Sequence, residues 1–220
     1  MNDTFFFLLS LSIIFAAILG VIRFRKMDPA YHPFVYYCCI SVLVEILVYL
    51  LLSGNMQYLV GTVYNIFGVV EFWLLIRLFY NWGLFKRKKS VFIAINLFSV
   101  LLRAGTLYIR GYDKINYFAS IVNAFALIFF SISAFNRMIL NERKNIFKNA
   151  KFWICIGIII YYTCFILVST EKLSFLHLNP SKNFDYKVWQ INAYANLLVN
   201  LLYAVAVVWI PRKKNIITLF

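Results

Sequence analysis

Seven long apolar runs divide the chain, at residues 5–22, 34–52, 58–80, 91–109, 117–135, 152–168 and 189–210. Crossing the hydrocarbon core of a bilayer takes about 20 apolar residues in a helix. Backbone groups in lipid must be satisfied within their own segment, which a helix achieves. The runs are apolar on every face and too long for the alternating strands of a membrane barrel. The pattern predicts an all-α polytopic membrane protein, one seven-transmembrane helix bundle spanning residues 1–220. No connection between runs has room for a separate soluble domain.

Punctuation agrees with these boundaries. Pro29, Pro33, Pro180 and Pro211 all lie outside the runs or at their edges, where proline is tolerated. No proline interrupts a span, so the spans are expected to be unbroken helices. Carriers often build their sites from discontinuous helices, and no proline signals one here. Gly61, Gly68, Gly105 and Gly157 fall inside spans and read as points of close helix packing.

Composition strengthens the membrane reading. Hydrophobic residues make up 63% of the chain and charged ones only 14%, against about 45–50% and about 25% in soluble domains. The charges are few but ordered. Arg23, Arg25, Lys26, the 86–89 run, Arg137, Arg143, Lys144, Lys148, Lys151 and the 212–214 run are fifteen of the 22 basic residues, all on one side of the predicted bundle. The opposite connections hold five: Arg110, Lys114, Lys172, Lys182 and Lys187. Cytoplasmic loops carry the excess of Lys and Arg, which puts the N-terminus outside and the C-terminus in the cytoplasm. The location implied is multi-pass, in the cytoplasmic (inner) membrane of a bacterium. Met1-Asn2-Asp3 brings no positive charge ahead of the first run, unlike a secretory signal.

A net charge of +14 invites a nucleic-acid reading. The placement of the excess beside helix ends argues against one. There it favours anionic lipid headgroups and offers a docking face for a cytoplasmic signalling partner. The segment 136–151 mixes its charges with Met138, Ile139, Leu140, Ile146 and Phe147, so it is read as an extension of the fifth helix lying partly on the membrane. Cys38, Cys39, Cys155 and Cys164 sit within spans without a C-x-x-C spacing, so neither a structural disulfide nor a zinc site is expected.

Ionisable residues at bilayer depth are expensive and mark function by default. Glu45 lies near the middle of the second span and Glu71 near the middle of the third. Each is thirteen residues from position 58 in the short connection, hence at a common depth of about 20 Å from the turn. Two carboxyls that face each other at one depth would share a proton. Arg103, in the fourth span, is a counter-ion for either. Arg77 lies nearer the cytoplasmic end and is expected to snorkel. Asn192, Asn196 and Asn200 recur every fourth residue along the last span, with Tyr203 on the same face. Tyr64, Gly68 and Glu71 share a face of the third. The candidate ligand or ion cavity therefore comprises Glu45, Glu71, Arg103, Asn123, Asn196, Asn200 and Tyr64, at the centre and outer half of the bundle. The competing reading of the same residues is a set of interhelical hydrogen bonds that fixes which helices pair. The outer loop 169–188, with Phe175, His177, Phe184 and Tyr186, is placed to cap such a cavity.

Catalytic signatures are missing. The sequence has no H-E-x-x-H, G-x-S-x-G or P-loop. His32 and His177 are predicted on opposite sides of the membrane, so no metal site, Ser–His dyad or cofactor is assigned. Asp3, Asp28, Asp113 and Asp185 all lie in loops or tails, which excludes paired-Asp chemistry in the bilayer.

The stretch 23–82 carries R-F-R-K-M-D, then V-L-V-E-I-L, then V-Y-N-I-F-G-V-V-E-F-W. It resembles small seven-span membrane proteins of Bacteroidota of unassigned activity, some encoded beside two-component sensors. The resemblance covers about a quarter of the chain and transfers no site residue. The concentration of basic residues on the cytoplasmic side of a chain with no soluble domain makes the favoured expectation a non-enzymatic sensory or accessory membrane protein acting through those loops. The alternative is a small proton- or cation-coupled carrier using Glu45, Glu71, Asn196 and Asn200, and an intramembrane enzyme ranks third.

Overall fold

The computed structural model describes residues 3–86, 88–111, 114–141, 145–173 and 182–213. Seven helices in it are long and apolar enough to cross a membrane, and no strand is present among the described residues. The first helix runs Asp3–Ser10 and Ile14–Arg23, joined by a 3-10 turn at Leu11–Ile13. The others are His32–Ser53, Val60–Asn81, Lys89–Arg110, Tyr117–Asn141, Ala150–Thr170 and Lys182–Trp209.

The seventh helix packs between the sixth and the first, and the first against the second, so the bundle closes on itself. The fourth helix packs mainly against the third and fifth and sits on the periphery. Large apolar side chains point outward from every helix, including Ile22 at 72% exposure, Leu43 at 66%, Phe129 at 66% and Leu167 at 69%. A water-soluble protein does not expose contiguous apolar surface on that scale. Lipid is the solvent that suits it.

Helix ends follow their local chemistry. Pro33 occupies the first turn of the second helix, where its missing N–H has no intrahelical partner to lose. Asn149 caps the sixth helix, its side chain accepting from Lys151 N at 3.0 Å. Asn116 does the same for the fifth, accepting from Ala119 N at 3.1 Å.

Two expectations need correction. The first helix is not regular: its middle tightens into the 3-10 turn without any proline. The fifth helix extends to Asn141, six residues beyond the apolar run, in line with the expected extension. A helix that leaves the hydrocarbon keeps its backbone bonds while its side chains turn polar, so hydropathy ends before the helix does. For the same reason the last helix begins at Lys182 rather than 189, which makes much of the expected outer loop helical. Phe175 and His177 lie outside the described residues, as do Arg87, Arg143, Lys144 and Lys214 among the basic positions.

The two halves of the bundle are packed differently. The half holding the basic connections is a close-packed core. Phe34, Cys38, Leu75, Ile76, Leu78, Phe79, Ile154, Ile158, Tyr203 and Val207 are all within 1% of full burial. Gly157 admits the Tyr203 ring, which a Cβ would strike at Cδ1 from 3.0 Å. Gly20 likewise leaves room for Val35 Cγ1, which would lie 2.8 Å from an added Cβ. At the base, Arg23 donates to the carbonyls of Val207 (2.6 Å), Val208 and Ile210 (3.2 Å). These belong to the last turn of the seventh helix, whose C=O groups lack intrahelical partners. Backbone bonds from Asp28 N to Pro211 O (2.9 Å) and from Lys213 N to Lys26 O (2.9 Å) complete the seal. The other half, toward the chain's N-terminus, is hollow.

Candidate functional site

A cavity of about 710 Å³ occupies that half. All seven helices contribute to its wall. Glu45, Glu71, Arg103, Asn123, Asn196 and Tyr64 line it. Asn200 does not: it lies one turn below Asn196, 2% exposed, and works as a clasp. Its amide donates to Ser10 O (3.2 Å) and Ser12 Oγ (2.9 Å) of the first helix.

The serines of that clasp account for the 3-10 turn. Ser10 and Ser12 each bond a carbonyl three residues back, Phe7 O at 3.1 Å and Leu9 O at 2.6 Å. Serine hydroxyls in this pattern compete with the backbone ladder and bend helices. Ile14 N–H then bonds Leu11 O, not the Ser10 carbonyl that a regular α-helix would use. In the 3-10 pattern the Ser10 carbonyl takes the Ile13 N–H instead. Asn200 adds a second hydrogen bond to it.

Ser10 also faces the cavity. Its hydroxyl lies 2.9 Å from Glu45 Oε2. Glu45 shares the inward face of the second helix with Cys38, Ser41 and Val48, all buried, because positions three, four and seven apart fall on one side.

Glu71 has different company. It lies against the hydroxyls of Tyr162 and Tyr37 and within Coulombic reach of Arg103. The two carboxyls are not hydrogen-bonded to each other: Glu45 pairs with Ser10, and Tyr161 lies within Coulombic reach of both. The two carboxyls line one cavity but do not form the proton-sharing pair that their matched depth suggests. Depth is set by the count of residues from the turn. Rotation separates the side chains.

Arg103 is 3% exposed. Its Nη1 donates to Asn65 Oδ1 (3.3 Å) and its Nη2 to Ser120 Oγ (3.2 Å). Gly68 makes the space: a Cβ there would stand 2.7 Å from Nη2. Around this guanidinium a polar knot ties three elements together. Asn65 Oδ1 also accepts from Asn116 N (3.0 Å), Asn65 Nδ2 donates to Lys114 O (2.9 Å), and Asn116 Nδ2 reaches Thr106 Oγ1. The knot pins the connection after the fourth helix, and with it the peripheral helix itself. Arg77, by contrast, is exposed and lies over the Tyr80 and Phe92 rings at 5.4 and 5.6 Å from their centroids.

Two amide atoms in the cavity wall, Asn123 Nδ2 and Asn192 Oδ1, are buried without a hydrogen-bond partner among the described residues. Such groups are rare in folded proteins and call for an explanation, a ligand or water among them. The remaining lining is strongly aromatic, with Phe7, Tyr49, Phe67, Tyr117, Tyr161 and Phe165. Ser10, Ser120 and the tyrosines of the sixth helix carry no mark in the hydropathy pattern. Ser10 and Ser12, at the depth of Asn200, offered the available signal. The tyrosines offered none, in a chain with 20% aromatic residues.

Compared with protein-family models, curated proteins and solved structures, the chain matches nothing in any of the three. The site is therefore interpreted from its own residues.

Proposed function

We propose that this is a sensory protein of a bacterial cytoplasmic membrane, with its N-terminus outside and its basic face in the cytoplasm. A small molecule enters the cavity from the outer end, and the occupied state is read at the basic face by a signalling partner. The observation that carries this reading is the asymmetry of the bundle: a polar, aromatic cavity of about 710 Å³ in one half and a close-packed seal in the other. Cavities of about 300–1,000 Å³ are the size of small-molecule sites. A packed, hydrogen-bonded lower half suits transmission better than passage. The basic residues described at that end, among them Arg23, Lys26, Lys88, Arg137, Lys151 and Arg212, suit an acidic partner and anionic headgroups.

The test uses a photo-crosslinking amino acid at Lys88 in living cells. The expected result is one discrete crosslinked product that is lost when Lys86, Lys88 and Lys89 are neutralised. Its yield changes when the cavity is filled by Ala193→Trp. A product insensitive to cavity filling, or no product, counts against the reading.

A carrier is the second reading, supported by one observation, the 3-10 break in the first helix beside the cavity. Broken helices at a binding site are a transporter device. It predicts that Ser12→Ala, which weakens the clasp, alters uptake into proteoliposomes. Accumulation of no substrate by vesicles that hold folded protein is evidence for the sensor.

A further inference from the structure

The charges in the cavity do not balance. Arg103 and Glu71 lie within Coulombic reach of each other, so together they leave the cavity close to neutral. Glu45 has no cation near it among the described residues; its polar partner is the Ser10 hydroxyl at 2.9 Å. A carboxylate in a half-buried apolar wall is stable only when paired or strongly hydrogen-bonded. One neutral hydroxyl donor is short of that.

What surrounds Glu45 is aromatic. Tyr49, one turn further along the same helix, stacks on Phe7 with ring centroids 4.2 Å apart and planes at 21°. Phe7 stands one turn before Ser10. Tyr64 and Tyr161 lie close enough to Glu45 to feel its charge. Four π-systems thus gather about one carboxylate. Ring faces attract ammonium groups, and best where water is excluded. No group of three or more His, Cys, Asp or Glu side chains that could hold a metal ion occurs among the described residues.

Resting on the sensory reading above, we propose that the cavity binds a monovalent organic amine whose ammonium group sits on Glu45 within the Phe7, Tyr49, Tyr64 and Tyr161 rings and whose apolar body fills the space toward Phe165. Bound amine and Glu45 cancel, and the cavity becomes neutral.

The experiment measures binding to the full chain in lipid nanodiscs. Three probes of one shape are compared: 2-phenylethylamine, 2-phenylethanol and phenylacetate. The amine is expected to bind at least tenfold more tightly than the alcohol, with the acid weakest, since a charge-assisted hydrogen bond separates them by roughly tenfold or more. Glu45→Gln keeps a hydrogen bond to Ser10 and should erase the preference for the amine while leaving ligand-free thermal unfolding in place. Tyr64→Leu, which removes one ring from about the ammonium, should weaken amine binding several-fold and keeps the inference testable if Glu45→Gln fails to fold. Equal binding of the alcohol or the acid overturns the amine assignment and leaves the sensory reading standing. An undiminished amine preference in Glu45→Gln also overturns it. Failure of all three probes to bind overturns it too, and the crosslink from Lys88 then judges the sensory reading separately.

Discussion

Asn200→Ala should destabilise the bundle by loosening the first helix from the last. Two hydrogen bonds disappear, one to Ser10 O at 3.2 Å and one to Ser12 Oγ at 2.9 Å. Hydrogen bonds between membrane helices average about 0.6 kcal/mol and reach about 1.7. The Ser10 carbonyl keeps the Ile13 N–H of the 3-10 turn, so no acceptor is stranded. The combined loss is about 1–2 kcal/mol. Equilibrium unfolding of the purified protein in mixed micelles, followed by tryptophan fluorescence as SDS is raised, reads this directly. Ser12→Ala removes one acceptor and should lose about 0.6 kcal/mol. Asn196→Ala, one turn away on the same helix but on the cavity wall, should lose less than about 0.5 kcal/mol, as substitutions away from such contacts do. Equal losses at Asn196 and Asn200, or a loss at Asn200 no larger than that expected for Asn196, would refute the clasp.

Other outcomes follow from the same geometry. Gly157→Ala drives a methyl into the Tyr203 ring, which Phe34 and Tyr37 hold edge-on at 5.1 and 6.1 Å between centroids. Over-packing of about 1–3 kcal/mol outweighs a gain in helix propensity of about 1 kcal/mol, whereas Gly105→Ala, with nothing within 4 Å of the added methyl, keeps only the gain. Detergent unfolding should place the two variants on opposite sides of the parent, and the reverse order contradicts the packing described. Arg23→Gln removes the guanidinium that holds the Val207, Val208 and Ile210 carbonyls. Hydrogen exchange at the amides of Asp28 and Lys213 should accelerate in that variant, and unchanged protection means the seal does not depend on Arg23.

The fold was legible because its physics is one-dimensional. Lipid demands runs of apolar residues, and proline marks their ends, so seven helices could be counted along the chain. The extension of the fifth helix showed in the apolar residues mixed with charges after 135, but the early start of the last helix did not: Lys182 to Lys187 belong to a helix although they no longer match hydrocarbon. For the site, sequence supplied depth and, through four-residue spacing, faces. That was enough to bring Glu45, Glu71, Arg103, Asn123, Asn196 and Tyr64 to one region. It was not enough to tell Asn196 from Asn200, whose roles part because the first helix approaches only the lower of the two. Nor could matched depth reveal that Tyr37 and Tyr162 attend Glu71 while Ser10 attends Glu45. Rotation of a helix about its axis depends on packing against neighbours, and in a bundle apolar on every face the sequence pattern sets that rotation weakly.

The proposal stands on a cavity that opens at the outer end of the bundle and stops at a packed core. Single cysteines introduced as Asn196→Cys and Ala206→Cys, in a chain whose Cys38, Cys39, Cys155 and Cys164 are replaced by alanine, test it with a membrane-impermeant thiol reagent. Asn196 lines the cavity and Ala206 is fully buried below it. The expected result is that Asn196→Cys reacts in intact cells and resists in inside-out vesicles, while Ala206→Cys resists in both. Reaction of Asn196→Cys from the cytoplasmic side alone, or equal labelling of the two positions, would contradict it.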